Sequence, residues 1–303
     1  MTATVRSGQF AALSNGTRLH YASAGEPGQP LVLFVHGFPE CWFEWEAQLQ
    51  EFGSTHFAVA PDLRGFNLSD MPPNLADYKA RHIVDDLRLL IAQLGYEQCI
   101  LVAHDWGGAI AWNLAIAMPQ LLHQLIIVNS PHPYLFMQAL ATDPHQKASS
   151  DYMNWLRAEG SEAALEKNDF LLLDGFFNGM GQPPAAWFTD AVRERYHACW
   201  RRGLRGGVNY YRASPLHPPT EAHPGPLKLT MNPADFRITV PTRVIWGETD
   251  FALPKTLLDG LDQFCDDLRI ERVADASHWI IHEQPALVNR LLRGFIDEKA
   301  NGA

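Results

Sequence analysis

Buried strands alternate with helices between residues 31 and 132 of this 303-residue chain, and this alternation is the strongest constraint on its fold. The segments typical of apolar strands are PLVLFVHG, HFAVAPDLRG, QCILVAH and HQLIIVN. Between the second and third of them, apolar residues recur at helical spacing over residues 83–94, and Gly95 ends that helix. Strands joined by helices pair in parallel, with helices on both faces of the sheet. The pattern therefore predicts an α/β fold with a mostly parallel sheet.

The alternation stops after Ser130-Pro131-His132-Pro133 and resumes near residue 238. From residue 134 to 236 the chain is helix-like, aromatic and interrupted by prolines. The part after it predicts a strand in VPTRVIWGETD, a helix near KTLLDGLDQF, a strand in LRIERV and a last helix in PALVNRLLRGFID. We therefore expect a core formed by residues 1–132 and 238–303, with residues 133–237 inserted as a helical cap.

Charge and hydropathy exclude several classes of partner. The chain carries 24 Lys and Arg residues against 34 Asp and Glu residues, a formal net charge of −10. Such a chain has no long-range attraction for nucleic acid or anionic lipid, so we expect neither as a partner. The N-terminal residues lack an apolar segment behind basic ones, and no apolar run reaches 18 residues. These features predict a cytoplasmic protein without a membrane segment.

The cysteines give no sign of a metal centre. Cys41, Cys99, Cys199 and Cys265 lie far apart in the chain, and no two of them form a CxxC pair. Zinc sites and disulfide frameworks usually show closer or regular spacing. We therefore expect reduced cysteines that pack in the protein, no bound metal and no cofactor, while the oligomeric state is left open.

The stretch LVAHDWGG is a predicted strand that stops at a pair of glycines. Around Asp105 it has the order small, any, nucleophile, any, small, with Ala103 and Gly107 as the small residues. A tight turn of this kind between strand and helix exposes its central side chain above the sheet. Asp105 is therefore a candidate nucleophile, and the alternative is an ordinary aspartate at a helix N-terminus.

Two further residues follow predicted strand ends. Asp250 comes after the strand in VIWGETD, and His278 comes after the next strand, in the segment VADASHW. The carboxyl ends of parallel strands meet at one edge of a sheet, so we expect both near Asp105, in the chain order nucleophile, acid, base. Taken singly, Asp250 reads equally well as a loop cap and His278 as a structural histidine. His278 and His282 are four residues apart, but no third ligand or HExxH motif accompanies them, so a metal site is not predicted.

The motifs HGFPE at 36–40, DLRGFNLSD at 62–70 and HDWGG at 104–108, with the Asp250 and His278 segments, resemble the epoxide hydrolases of the α/β-hydrolase family. The resemblance covers nearly the whole chain and implies an α/β-hydrolase fold with a cap. Its core motifs belong to the wider group with an aspartate nucleophile, which includes haloalkane and haloacetate dehalogenases. Asn67 stands where the family usually has glycine, and because asparagine tolerates left-handed backbone angles we expect the turn to survive.

The resemblance also implies a role for each site residue. Asp105 would attack a small apolar epoxide and form an ester, which water activated by His278 would hydrolyse to release a diol. Asp250 would orient His278, and the backbone N–H groups of Phe38 and Trp106 would hold the oxyanion.

The cap segments DYMNW and GGVNYYRA resemble those that supply two tyrosine proton donors in epoxide hydrolases. They place the donors at Tyr152 and Tyr211, with Tyr210 as the nearest competitor. Packing is the alternative role for these rings. The aromatic cap residues also suggest an apolar pocket wall, and they are Trp155, Phe170, Phe176, Phe177, Trp187 and Phe188.

Two alternative functions remain open at the level of the sequence. Haloalkane dehalogenases usually carry Asn or Glu where this chain has Phe38, and haloacetate dehalogenases resemble HDRGA where it has Trp106 and Gly107. Both departures favour epoxides, although the indole N–H of Trp106 suits a halide as well. A non-catalytic receptor on the same fold is the other alternative, since a fold alone never fixes function.

Overall fold

The computed structural model describes residues 3–178 and 185–300, and within them a sheet of eight strands forms the centre of the fold. The strand order across the sheet is β1-β2-β4-β3-β5-β6-β7-β8. The strands are β1 (Arg6–Ala12), β2 (Arg18–Ala24), β3 (Leu31–Val35), β4 (Phe57–Pro61), β5 (Cys99–His104), β6 (Leu122–Val128), β7 (Thr242–Gly247) and β8 (Leu268–Val273). The pairs β1–β2 and β2–β4 are antiparallel, and all other pairs are parallel. The predicted α/β fold with a mostly parallel sheet is confirmed.

Helices cover both faces of this sheet. They are α1 (Glu46–Phe52), α2 (Ala80–Gln93), α3 (Asp105–Ala117), α10 (Ile280–Glu283) and α11 (Pro285–Ala300). Apolar residues of α2 and α3 share one core cluster with Leu33 and Val35 of β3, whereas those of α1 and α11 share a second cluster with Val32 and Phe34. Successive strand residues point to opposite faces, so a continuous apolar run is what a strand buried on both faces requires.

Within the described residues, six α-helices lie between β6 and β7. They are α4 (Pro133–Thr142), α5 (Pro144–Ser149), α6 (Tyr152–Arg157), α7 (Ser161–Phe177), α8 (Asp190–Trp200) and α9 (Arg205–Ala213). A kink interrupts α7, where Asn168, Asp169 and Phe170 adopt left-handed backbone angles. The eight strands all lie outside this segment, which we call the cap, and residues 179–184 of it lie outside the described residues. Its division from the core at 132/133 and 237/238 stays a prediction.

One predicted helix is wrong. The segment KTLLDGLDQF forms two short 3₁₀ turns, Lys255–Leu258 and Leu261–Gln263, rather than one helix. Gly260 between them has a left-handed φ of 82°, which no residue inside an α-helix adopts. By contrast, Asn67 has a φ of 45°, so the left-handed turn expected there is confirmed. None of the described helices has the length and apolar character that crossing a membrane would take.

Candidate active site

Asp105 lies at the sharp turn where β5 ends and α3 begins. Its φ of 48° is left-handed, a conformation that non-glycine residues rarely adopt and that is typical of strained functional turns. A Cβ atom at Gly107 would lie only 2.4 Å from the carbonyl oxygen of Val35, so the turn needs glycine there. The hydroxyl of Ser130 donates to the carbonyl oxygen of Asp105 at 2.7 Å and fixes the turn from the other side. The Asp105 side chain is thereby held above the carboxyl edge of the sheet.

The two oxygens of the Asp105 carboxylate have different neighbours. The backbone N–H of Phe38 donates to Oδ1 at 2.8 Å, and Nε2 of His278 lies 3.6 Å from Oδ2. Phe38 therefore already donates its N–H to the carboxylate, as an oxyanion site there would need. The N–H of Trp106 as a second donor stays a prediction; the indole of Trp106 packs edge to face on Tyr211, with ring centroids 5.0 Å apart.

Asp250 and His278 form a close pair behind Asp105. Oδ2 of Asp250 lies 2.6 Å from Nδ1 of His278, while Oδ1 accepts the backbone N–H groups of Ala252 and Leu253, each at 2.9 Å. A carboxylate is only an acceptor, so Nδ1 carries the proton in this pair. In the neutral imidazole, Nε2 then has a lone pair facing Asp105, which is the tautomer that a general base requires.

Asn129 is a further hydrogen-bond partner of Asp250 that we did not predict from the sequence. Its amide nitrogen donates to Oδ2 of Asp250 at 2.9 Å and to the carbonyl oxygen of Gly247 at 3.2 Å. Its φ of 38° turns the chain at the end of β6. The position directly after a buried strand, in HQLIIVN, was the available signal.

Two cavities meet at Asp105. The larger has a volume of about 310 Å³ and a mainly apolar lining, and the smaller has a volume of about 70 Å³. Asp105, Tyr152 and Tyr211 line both cavities, and His278 lines the smaller one. A cleft with an apolar wall and a few convergent polar groups is typical of a site for a small apolar molecule.

The structure brings both predicted cap tyrosines to the nucleophile. Arg157, at the end of α6, donates to the carbonyl oxygen of Tyr211 in α9 at 2.5 Å and to that of Ser214, directly after α9, at 2.9 Å. These hydrogen bonds join the two helices. The rings of Tyr152 and Tyr211 pack edge to face with centroids 6.2 Å apart. Tyr210 instead donates its hydroxyl to the carbonyl oxygen of Arg64 at 2.9 Å. The geometry therefore favours Tyr211 over Tyr210 as the second donor.

Burial keeps both phenols protonated. It raises the pKa of the Tyr152 hydroxyl, and the nearby carboxylates of Asp105 and Asp250 raise it further. Burial likewise raises the pKa of Tyr211, with added contributions from Tyr152 and Asp105, while a hydrogen bond from Trp106 opposes the shift. A phenol that holds its proton at neutral pH is a hydrogen-bond donor to whatever lies between it and Asp105.

Some aromatic residues of the cap line a cavity, and others pack against one another. Phe176 lines the smaller cavity. Phe177 stacks on Trp200 and packs against Trp187 and Phe188 inside the cap, with ring centroids 5.0 to 5.9 Å apart. These contacts hold cap helices together rather than face Asp105.

A second group of carboxylates and histidines lies beside the turn, and three of its members, Glu40, Glu44 and His104, are buried from solvent. Nδ1 of His104 is 2.7 Å from Glu44 and 3.4 Å from Glu40, and its Nε2 is 3.0 Å from the carbonyl oxygen of His278. Glu40 is also 2.5 Å from Nε2 of His282 and accepts the hydroxyl of Tyr196 at 2.7 Å. We call Glu40, Glu44 and His104 the sealed cluster, and His282, whose side chain is 14% exposed, lies at its edge.

The pKa values of its two carboxyl groups are shifted in opposite directions. The histidines His282 and His104 hold the pKa of Glu40 well below its usual range against the effect of burial. Burial and the charge of Glu40 raise the pKa of Glu44 to about 8, and the two glutamates raise the pKa of His104 although burial opposes them. Two adjacent buried carboxyl groups do not both keep a charge, so Glu44 holds the proton.

The ligand atoms of Glu40, Glu44 and His104 lie within 4.8 Å of one another, close enough for a metal ion. Each already has a hydrogen-bonding or ion-pair partner, so we interpret the group as proton-sharing. His278 and His282, considered together in the sequence, face different carboxylates: Asp250 and Glu40.

Comparisons with known proteins show which sequences and structures this chain is similar to. Residues 30–285 match the family model described as the alpha/beta hydrolase fold. The chain is 36% identical over 287 residues to the AB hydrolase superfamily protein YfhM of Bacillus subtilis (strain 168), covering 93% of this chain and 96% of that protein. It is 33% identical over 292 residues to human epoxide hydrolase 4, covering 94% and 77%. The crystal structure of an epoxide hydrolase from Bacillus megaterium with an inhibitor superimposes with a TM-score of 0.87 at 33% identity, covering 95% of this chain and 100% of that one.

Proposed function

Because this chain belongs to the α/β-hydrolase fold family, and within it to the epoxide hydrolase family, we propose that it hydrolyses epoxides to vicinal diols. The observation that carries the proposal is the position of Asp105, whose carboxylate shares one cavity with His278 and with the phenols of Tyr152 and Tyr211. The first group supplies a nucleophile, the second a base and the last two an acid. These are the three roles that opening an epoxide and hydrolysing the resulting ester require.

In the first step the Asp105 carboxylate attacks a carbon of the epoxide ring. The N–H of Phe38 is bonded to Oδ1, so Oδ2 is the oxygen that forms the new C–O bond and Oδ1 becomes the ester carbonyl. An alkyl ester is an intermediate that water cleaves, whereas a serine nucleophile would leave an ether that it does not. An aspartate at this turn is therefore the residue that the reaction requires.

The epoxide oxygen leaves the carbon as a strongly basic alkoxide and needs a proton. Tyr152 and Tyr211 line the cavity around Asp105 and are protonated at neutral pH, since their pKa values lie above the ordinary phenol value of 10. A phenol that donates a hydrogen bond to the epoxide oxygen stabilises the negative charge that develops on that oxygen as the ring opens. This need distinguishes an epoxide from a halide, which leaves without a proton.

In the second step His278 activates a water molecule for attack on the ester carbonyl. Its Nε2 is directed at Asp105, and the proton it takes places a positive charge beside Asp250, which lies 2.6 Å from Nδ1. The oxyanion forms on Oδ1, where the N–H of Phe38 already donates. Collapse of this intermediate breaks the bond between Cγ and Oδ2 of Asp105, and the departing oxygen takes the proton from His278 to complete the diol. The remaining proton of the water returns to the tyrosine that protonated the epoxide oxygen, which restores the enzyme. The reaction needs no cofactor.

The experiment that tests the proposal compares an epoxide with a haloacid. Styrene oxide and chloroacetate are each mixed with excess enzyme, and formation of the ester is followed in a single turnover. We expect the wild type to react with styrene oxide and to form the diol, and Asp105→Ala to form none, which also rules out a receptor without activity. Reaction with chloroacetate alone would support the dehalogenase instead.

The cap tyrosines provide the sharper test. In the variant Tyr152→Phe/Tyr211→Phe, ester formation from styrene oxide should slow by about 10²- to 10⁴-fold, the usual contribution of a general acid. Each single variant should lose less, since one phenol remains. Tyr210→Phe is the matched control and should react like the wild type, because the Tyr210 hydroxyl bonds Arg64. An unchanged rate in the double variant would assign both tyrosines to packing and remove the main support for an epoxide substrate.

A further inference from the structure

Helix α8 of the cap lies directly on the loop that carries Phe38. The indole N–H of Trp200 donates to the carbonyl oxygen of Pro39 at 2.7 Å, and the hydroxyl of Tyr196 donates to Glu40 at 2.7 Å. Both contacts are buried. They hold the cap against the residues that follow the N–H donor to Asp105.

Two thiols meet at the same contact. Sγ of Cys41, the next residue in that loop, lies 3.2 Å from Sγ of Cys199 in α8, although the two cysteines are 158 residues apart in the chain. Both are free thiols, Cys41 is buried and Cys199 is partly exposed, on the wall of a small crevice beside Trp200. The four cysteines are free, as expected, and the fold brings two of them together although the sequence separates them.

We propose that Cys41 and Cys199 are an oxidation site at which a hydroperoxide forms a reversible disulfide between the cap and the loop of Phe38. The sulfur atoms have only to approach by about 1.2 Å, since a disulfide bond is about 2.0 Å long. The site is independent of the reaction at Asp105.

The chemistry has two steps, with hydrogen peroxide as the oxidant. The partly exposed Cys199 attacks a peroxide oxygen as a thiolate, the O–O bond breaks, and one water leaves while a sulfenic acid forms on Cys199. Sγ of Cys41 then attacks Sγ of Cys199, the S–O bond breaks, and the leaving hydroxide takes the Cys41 proton to form the second water. Two thiols and one peroxide thus give one disulfide and two waters. Burial raises the pKa of Cys41, which makes it the resolving partner rather than the first to react.

The test is to treat the full-length chain with hydrogen peroxide and measure its intact mass without reductant. We expect a loss of two hydrogen atoms, a linked peptide pair containing Cys41 and Cys199, and full reversal by dithiothreitol. Closing so long a loop should also raise the melting temperature by about 5 °C. A linkage through another cysteine, a dimer between chains, or Cys199 oxidised to a sulfinic acid while Cys41 stays free would overturn the proposal.

Variants separate the pair from the other thiols. Cys199→Ser and Cys41→Ser should each abolish both the mass change and the rise in melting temperature, and Cys199 is the safer first choice because its side chain is partly exposed. Cys265→Ser removes a buried thiol elsewhere and should oxidise like the wild type. If Cys265→Ser fails to form the disulfide, the oxidation depends on another thiol and the pair does not react as proposed.

Discussion

Two carboxylate–histidine clusters adjoin across the turn at Asp105, and their histidine rings, His278 and His104, lie 4.6 Å apart. In the first, His278 stands between Asp250 and Asp105, and its free nitrogen faces a cavity. In the sealed cluster, His104 stands between glutamates and the carbonyl oxygen of His278, with no more than 1% of its side chain exposed. The residue types are the same, and the surroundings differ.

The difference between the two clusters shows which surroundings leave a carboxylate–histidine pair able to react. Backbone and amide donors satisfy Asp250, so its charge is stable and His278 has one nitrogen left for a substrate or water. Glu44 has only His104 and a charged neighbour, so it holds a proton that no small molecule reaches. We interpret the first cluster as the one that takes part in the reaction. The second holds the backbone of His278 in place.

The largest expected effect comes from breaking the first cluster at His278. The base is needed for the second step only, so His278→Gln should lose turnover of styrene oxide by at least about 10³-fold while still forming the ester. Intact-mass spectrometry should show the protein plus one substrate molecule. His132→Gln, a buried histidine bonded to Phe236, is the control and should turn over normally. An adduct that persists in Asp105→Ala/His278→Gln would place the ester on another residue.

A smaller effect is expected when the support of Asp250 is weakened. Asn129→Gly removes the amide that donates to Asp250 and keeps the left-handed backbone, which glycine adopts freely. One hydrogen bond to a charged group contributes about 1.5–3 kcal/mol, so ester hydrolysis should slow by about 10-fold or more. The rate of ester formation, measured in the same single turnover, should change little. Equal loss in both steps would mean that the substitution disturbed Asp105 as well.

The smallest effect concerns the sealed cluster and appears in stability rather than turnover. The pKa of Glu44 is raised to about 8, above its ordinary value of 4.5, so the folded state binds a proton that the unfolded chain releases. Its contribution to stability is therefore complete below about pH 4.5 and is lost as the pH rises to 8. Glu44→Gln resembles the protonated carboxyl, and its melting temperature should fall less between pH 5 and 8.5 than that of the wild type. Parallel curves for the two proteins would show that Glu44 is charged in the folded state.

The sequence predicted the first cluster because of where its members stand along the chain. Asp105, Asp250 and His278 each follow a buried strand, and parallel strands bring such positions to one edge. Glu40 and Glu44 come about 60 residues before His104, and nothing in their spacing indicates the contact. It forms because β3, which precedes the two glutamates, pairs with β5, which ends at His104.

Tyr152 and Tyr211 were found through resemblance alone, because helix spacing does not say how α6 and α9 dock. The break at Gly260 shows a local limit of the same kind. A helical apolar pattern in KTLLDGLDQF was overridden by one residue with a left-handed backbone.

Because the backbone at Asp105 is left-handed, selection for stability and selection for activity favour different residues at this position. A side chain in this conformation costs about 1 kcal/mol or more, and glycine would remove that cost. A library of variants screened only for heat resistance should therefore be enriched in Asp105→Gly, a protein that folds better and has no nucleophile. The chain keeps a strained residue at this position because turnover depends on it.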